Sequence, residues 1–210
     1  MLRIGVTGGI AGGKSLVSAT LGVLGAHVIE ADDVARKLVR PGSPLLDALR
    51  GSFGDGVLNP DGTLNRRELG ALVFADAEAL RRLNEITHPP LTAEIMRRLN
   101  ELERGDPEGV AVVDAALLPD WDILREMDLV VLVTAPEDVR VSRMVAGGLD
   151  EGEARSRIAA QRSERSYREV SDEVLENVGT RDELEEKVRR LWARVAKPRA
   201  TGRDETGGRR

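Results

Sequence analysis

The chain contains no cysteine, which excludes disulfides and thiolate metal sites and makes a cytosolic compartment the expectation. Histidine is nearly as scarce: His27 and His88 are too few for a structural zinc centre. Aromatic residues make up 2% of the chain and the net charge is −5, so neither the stacking platform nor the basic field of a nucleic-acid-binding protein is present. No apolar run reaches the length that spans a bilayer, and the first residues lack the order of a secretory signal. Neither nucleic acid nor membrane is therefore expected as a partner. Lysine occurs only at positions 14, 37, 187 and 197, whereas arginine is abundant and interleaved with acids, as on solvated helix faces. The 210 residues suit one domain with a sizeable core.

One of the four lysines stands in the most informative stretch. Gly8-Gly9-Ile10-Ala11-Gly12-Gly13-Lys14-Ser15 matches the phosphate-binding loop G-x-x-x-x-G-K-[ST]. An apolar run at 2–6 precedes it and reads as a buried strand; the pattern over 15–24 reads as a helix. Gly8, Gly9, Gly12 and Gly13 allow the backbone to curl and bring its N–H groups against a polyphosphate. The helix behind, entered through Leu16, points its positive dipole end at the same anion. Lys14 would reach the β- and γ-phosphates, and the Ser15 hydroxyl would ligate Mg²⁺. This stretch predicts a nucleotide-binding protein.

Alternation continues with a short strand at 27–30 and a helix over 33–39, which predicts an α/β fold with a parallel sheet. Asp32 then lies on the carboxyl edge of the sheet, where ligands bind in doubly wound folds. It reads either as the N-cap of a helix starting at Asp33 or as a catalytic carboxylate. Residues 43–104 break the rhythm, with helical patterns over 44–53, 65–74, 77–87 and 91–103 and a turn-rich stretch at 54–62. The sheet resumes at 110–113 and ends in Asp114, either a Walker-B-like carboxylate near Mg²⁺ or a strand-terminal acid satisfying nearby N–H groups. A strand at 129–133, a helix opened by Pro136, a break at Gly147-Gly148 and a long helix over 150–167 follow. This helix–glycine–helix unit has the pattern of a mobile lid. A strand at 173–175 and a helix over 182–195 complete the domain, and the tail 197–210 has the composition of a disordered segment.

From Leu2 to about Val195 these features resemble the dephospho-CoA kinase family. The landmarks stand in the family's order: Gly5-Val6-Thr7-Gly8-Gly9-Ile10 into Gly13-Lys14-Ser15, Val28-Ile29-Glu30-Ala31-Asp32 with Ala35-Arg36, and Asp61-Gly62-Thr63-Leu64-Asn65-Arg66. His88-Pro89, Leu117-Leu118, Arg157-Ile158 with Gln161, and Asn177 with Gly179 follow. The resemblance implies a three-layer P-loop kinase fold spanning 1–196, with a parallel five-stranded sheet, a helical substrate-binding insertion at 43–104 and a helical lid at 140–168. It implies ATP and Mg²⁺ as cofactors, dephospho-CoA as the small-molecule partner, and a monomer or weak homo-oligomer. Asp32 takes the place of the base for the ribose 3′-hydroxyl and helps hold the metal with Ser15. Lys14 and Arg143 are the further catalytic candidates, Arg157 a second one on the lid side. The nucleotide would contact Gly8 to Leu16, Asn177 and Gly179. Arg36, Arg66 and His88 are candidates for the acceptor, His88 closing a helix before Pro89.

The sequence also departs from the family pattern. Glu30 replaces an aspartate, Ala116 a proline, and Val145-Ala146-Gly147-Gly148 lacks the arginine that precedes the lid glycine. Arg140, Arg143 and Arg155 are the candidates to take its place. Beside the kinase reading stand another nucleoside or nucleotide kinase and a nucleotide-binding protein with weakened catalysis. A GTP-dependent switch is disfavoured, because no lysine follows an asparagine as N-K-x-D requires.

Overall fold

A computed structural model describes residues 1–196; the expectation about the tail lies outside them. Five strands form one parallel sheet: β1 (Leu2–Thr7), β2 (His27–Glu30), β3 (Val110–Asp114), β4 (Leu129–Thr134) and β5 (Glu173–Glu176), in spatial order β2-β3-β1-β4-β5. The inner strands β3 and β4 read as nearly continuous apolar runs because helices cover both faces, while the edge strands β2 and β5 are short and end in glutamates. Alternate residues serve different layers. Ile4, Val6, Val112 and Val131 pack against Val17, Leu21, Leu184 and Leu191, from α1 (Lys14–Val23) and α9 (Arg181–Val195). Ala111, Val113 and Val130 pack on the opposite layer, with Val34 of α2 (Ala31–Leu38) and Leu91, Ile95 and Leu99 of α5 (Ala77–Gly105). The chain is thus a three-layer α/β fold.

The sheet order places β1 at its centre, and the chain leaves β1 for β2 on one side while β4 and β5 lie on the other. A crevice at the carboxyl end of such a central strand is the usual ligand position in open α/β sheets. The loop at 8–13 emerges there. Register sets Val6 beside Asp114 and Glu30 beside Asp114, so the acidic ends of β2 and β3 stand level with the start of that loop.

Between β2 and β3 the chain runs through α3 (Pro44–Phe53), α4 (Arg66–Ala75) and α5, with no strand of the sheet among them. The caps are local: Ser43, Asn65 and Asp76 each accept from a first-turn N–H. Two helices expected over 77–87 and 91–103 are one. Pro89 and Pro90 sit inside a 29-residue helix, so His88 does not close one. An interior proline costs about 3 kcal/mol in an isolated helix. Here both halves are anchored, Ala79 in a cluster with Leu45, Leu49 and Leu69, and Leu91, Ile95 and Leu99 against the sheet.

The pattern over 150–167 is likewise corrected. It forms α7 (Glu151–Ala159) and α8 (Glu164–Arg168), separated at 160–163 where Ser163 caps the second helix through the Ser166 N–H. With α6 (Glu137–Ala146), these helices lie over the carboxyl edge. Val141, Met144 and Ala154 form a small core that also takes in Ile10 and Ala11.

Candidate active site

The loop at 8–13 turns through glycine at two demanding places. Gly8 has φ 140° and Gly13 φ 110°; a Cβ on Gly8 would meet the Val133 carbonyl, and one on Gly13 the Asn177 amide. Ala11 also lies in the left-handed region, at φ 57°. This curl turns three successive carbonyls outward, and each meets a side-chain donor. Arg140 Nε donates to Ile10 O (2.8 Å), Arg143 Nη1 to Ala11 O (3.1 Å), and Asn177 Nδ2 to Gly12 O (3.0 Å). Arg143 also donates through Nη2 to Asn177 O at 3.1 Å. With the carbonyls held outside, the N–H groups of Ala11, Gly13, Lys14 and Ser15 make no hydrogen bond among the described residues. That is a cradle for an anion, backed by the N-terminus of α1.

Two cavities meet at this cradle. The first, about 520 Å³, is lined by Gly13, Lys14, Ser15, Arg143, Asn177, Gly179 and Arg181 among others. The second, about 320 Å³, is lined by Lys14, Ser15, Asp32, Arg36 and Asp114 among others. Lys14 and Ser15 belong to both. The Lys14 ammonium is pushed below its ordinary pKa, chiefly by burial; Asp114 and Asp32 pull it back up and Arg140 pushes it further down. Burial raises the Asp114 carboxyl, opposed by the hydrogen bond from Ser18 Oγ (2.7 Å) and by Lys14. The junction carries concentrated charge in a partly dry site, the setting in which transferred charge is best stabilised.

The carboxylate at 32 is placed by an early helix start. The helix expected from Asp33 begins at Ala31, with Glu30 as its N-cap. Asp32 therefore lies in the first turn and is not the cap, and its carboxylate accepts no hydrogen bond among the described residues. Asp33 is instead paired with Arg36 along the same helix.

The remaining sequence candidates fall in different places. Arg36 lines the second cavity. Arg66 opens α4 on its exposed side and lines neither cavity. His88 sits midway along α5 with its ring edge against Trp121, centroids 5.6 Å apart, and burial pushes its pKa down. Arg157 is exposed and paired with Glu153, while Arg155 pairs with Glu151 and Glu137. Two further residues carry no expected role from the sequence motifs: Gln161, which accepts from the Ile10 N–H, and Arg181, which lines the first cavity. The readable signal for Arg140 was its spacing, one helical turn before Arg143 on a helix leaving the carboxyl edge.

Comparison with known proteins agrees with this geometry. The dephospho-CoA kinase family model matches residues 2–183. A dephospho-CoA kinase of Corynebacterium jeikeium is 47% identical over 196 residues, covering 91% of this chain and 98% of that protein. A solved structure from Thermus thermophilus superposes with a TM-score of 0.77 at 32% identity, covering 92% of this chain and 97% of its own. The dephospho-CoA kinase from Campylobacter jejuni shares the fold, with a TM-score of 0.68 at 21% identity, over 92% of this chain and 96% of that one. The chain belongs to the dephospho-CoA kinase family.

Proposed function

We propose that the protein transfers the γ-phosphoryl group of ATP to the ribose 3′-hydroxyl of dephospho-CoA. The observation that carries the reading is the sharing of Lys14 and Ser15 by two cavities. A donor nucleotide in the first and an acceptor hydroxyl in the second meet at one ammonium group and one helix N-terminus. The loop amides and Lys14 hold the β- and γ-phosphates, while Arg143, Asn177 and Gly179 border the nucleoside side. Across the junction, Asp32 orients the acceptor hydroxyl and takes its proton as the phosphoryl group arrives. Arg36, beside it, faces an acceptor phosphate. The rest of the long acceptor is assigned to α3 to α5, the helices that carry Arg66 and His88, and α6 to α8 serve as the lid.

The Ser15 hydroxyl and the Asp32 and Asp114 carboxylates are hard oxygen donors at the same junction, and no cluster of three or more acidic or imidazole groups forms a metal cage among the described residues. Such a set fits Mg²⁺, which keeps water and phosphate oxygens in its shell. Bound there, it would supply neutralisation of the β- and γ-phosphate charge. Most of the catalytic effect then comes from holding two reactants in line at a site already shaped for the transferring charge.

The test is ADP release from Mg-ATP with and without dephospho-CoA. Release that depends on dephospho-CoA, with a product carrying a new 3′-phosphate, is expected. A folded chain that binds ATP without acceptor-dependent release overturns the reading.

A further inference from the structure

The residues between the loop glycines count as spacers in the motif, yet Ile10 has both its N–H and its carbonyl held by side chains from distant parts of the chain. Its N–H donates to Gln161 Oε1 at 2.8 Å, and its carbonyl accepts from Arg140 Nε at 2.8 Å. Arg140 Nη2 donates to the same Gln161 Oε1 at 2.9 Å, which closes a ring of three hydrogen bonds around the Ile10 backbone. The Ile10 side chain packs with Val141, Met144 and Ala154 of α6 and α7. Arg140 forms no ion pair among the described residues, and the hydrogen bonds that hold its guanidinium go to the Ile10 carbonyl and the Gln161 amide oxygen. Gly9 leaves the space it needs: a Cβ there would come within 2.5 Å of Arg140 Nη2 and 2.9 Å of Gln161 Oε1.

We propose that Arg140 and Gln161 are positioning residues for phosphoryl transfer, acting as a two-point clamp on the Ile10 backbone that sets the loop for the γ-phosphoryl group. The inference rests on the phosphoryl-transfer reading above. Arg140 fixes the Ile10–Ala11 peptide through its oxygen, and Gln161 fixes the Gly9–Ile10 peptide through its N–H. Two adjacent peptides are thereby held in one orientation, and the loop N–H groups that follow keep theirs. Gln161 lies just past the Ala160 C-cap of α7, so the clamp also couples the position of α7 to the shape of the loop. Arg suits the task and Lys does not, because only a planar guanidinium reaches a carbonyl and an amide oxygen together.

The experiment compares the full chain with Arg140→Gln, Arg140→Lys, Gln161→Ala and the Arg140→Gln/Gln161→Ala pair. It measures steady-state turnover with Mg-ATP and dephospho-CoA, binding of a fluorescent N-methylanthraniloyl-ATP, and thermal midpoints. Arg140→Gln is expected to lower kcat about a hundredfold, as for loss of one preorganised electrostatic contact, with analogue affinity changed less than tenfold and the midpoint unmoved. Arg140→Lys should remain as slow as Arg140→Gln, and the pair should be no slower than the worse single variant. Wild-type kcat in Arg140→Gln, rescue by lysine, additive losses in the pair, or a parallel fall of kcat, affinity and midpoint each overturn the clamp. If Arg140→Gln does not fold, Gln161→Ala alone decides, and unchanged kcat there overturns it. An unaltered chain without dephospho-CoA-dependent ADP release removes the phosphoryl-transfer reading itself, and the clamp with it, before any variant is compared.

Discussion

Arg140 and Arg143, one turn apart on α6, donate to the carbonyls of Ile10 and Ala11, successive residues of the phosphate-binding loop. The helix spacing of three residues is thus matched to a backbone spacing of one. This is possible because the loop curls through Ala11 at positive φ and presents neighbouring carbonyls to one helix face. The consequence lies on the other side of the first of these peptides, where the Ala11 N–H keeps no partner among the described residues, while the Gly12 N–H closes the turn on Gly9 O at 3.2 Å.

Lys14→Met should abolish turnover, with a loss of at least about a hundredfold, and yet raise the thermal midpoint of the nucleotide-free protein at neutral pH. Burial holds the Lys14 pKa in the fold below its ordinary value. Between that lowered value and the unfolded value of about 10.4, the unfolded chain keeps a proton that the folded chain has released. Stability therefore rises with pH through this window, and below it the charged lysine costs stability. Thermal unfolding from pH 7 to 10.5 should show the advantage of the methionine variant shrinking as pH rises. A methionine variant that is less stable at pH 7 contradicts this electrostatic account.

Asp32→Asn and Asp33→Asn should differ sharply although the residues are neighbours. Asp32 lines the second cavity, whereas Asp33 is paired with Arg36. Loss of a general base costs about 10²–10⁴ in rate, so Asp32→Asn should lower kcat within that range and leave ATP binding intact. Asp33→Asn should change kcat less than about tenfold, and such an exposed pair contributes about 0.2–1 kcal/mol to stability. Turnover assays on both variants make the comparison.

Gly13→Ala should weaken nucleotide binding at least about tenfold, since a Cβ there meets the Asn177 side chain and φ is 110°. Displacing Asn177 also frees the Gly12 carbonyl that it holds. Titration with the fluorescent ATP analogue measures the loss, and circular dichroism shows whether the fold persists.

Thr180→Ala should cost stability and little activity. Thr180 and Glu183 form a reciprocal capping box at the start of α9, with the Thr180 hydroxyl accepting from Glu183 N–H and the Glu183 carboxylate from Thr180 N–H. Loss of such a cap costs about 1 kcal/mol, which lowers the midpoint of a domain this size by about 2–4 °C. Calorimetry at neutral pH measures it. The same experiment on Glu183→Ala should give a similar decrement, because both members of the box satisfy orphan N–H groups.

Short-range physics made much of the protein legible in its residues. Glycine spacing before Lys14-Ser15, apolar runs at the strands, and turn-forming residues between them act within a few positions of themselves, so the loop, the α/β alternation and the parallel sheet follow from the chain read in order. The helix at Ala31 and the passage of α5 through Pro89 and Pro90 do not follow, because local propensity is outweighed there by burial of Val34, Leu91 and Ile95 against the sheet. The clamp on Ile10 brings together residues 130 and 151 positions downstream. Its hydrogen bonds exist only once β4 has paired beside β1 and carried α6 and α7 over the loop. The chemistry of the phosphate site was therefore set by sequence, since a backbone cradle needs only the right glycines and one lysine. Which side chains hold that cradle open was decided by tertiary structure, since long-range contacts depend on how the layers pack.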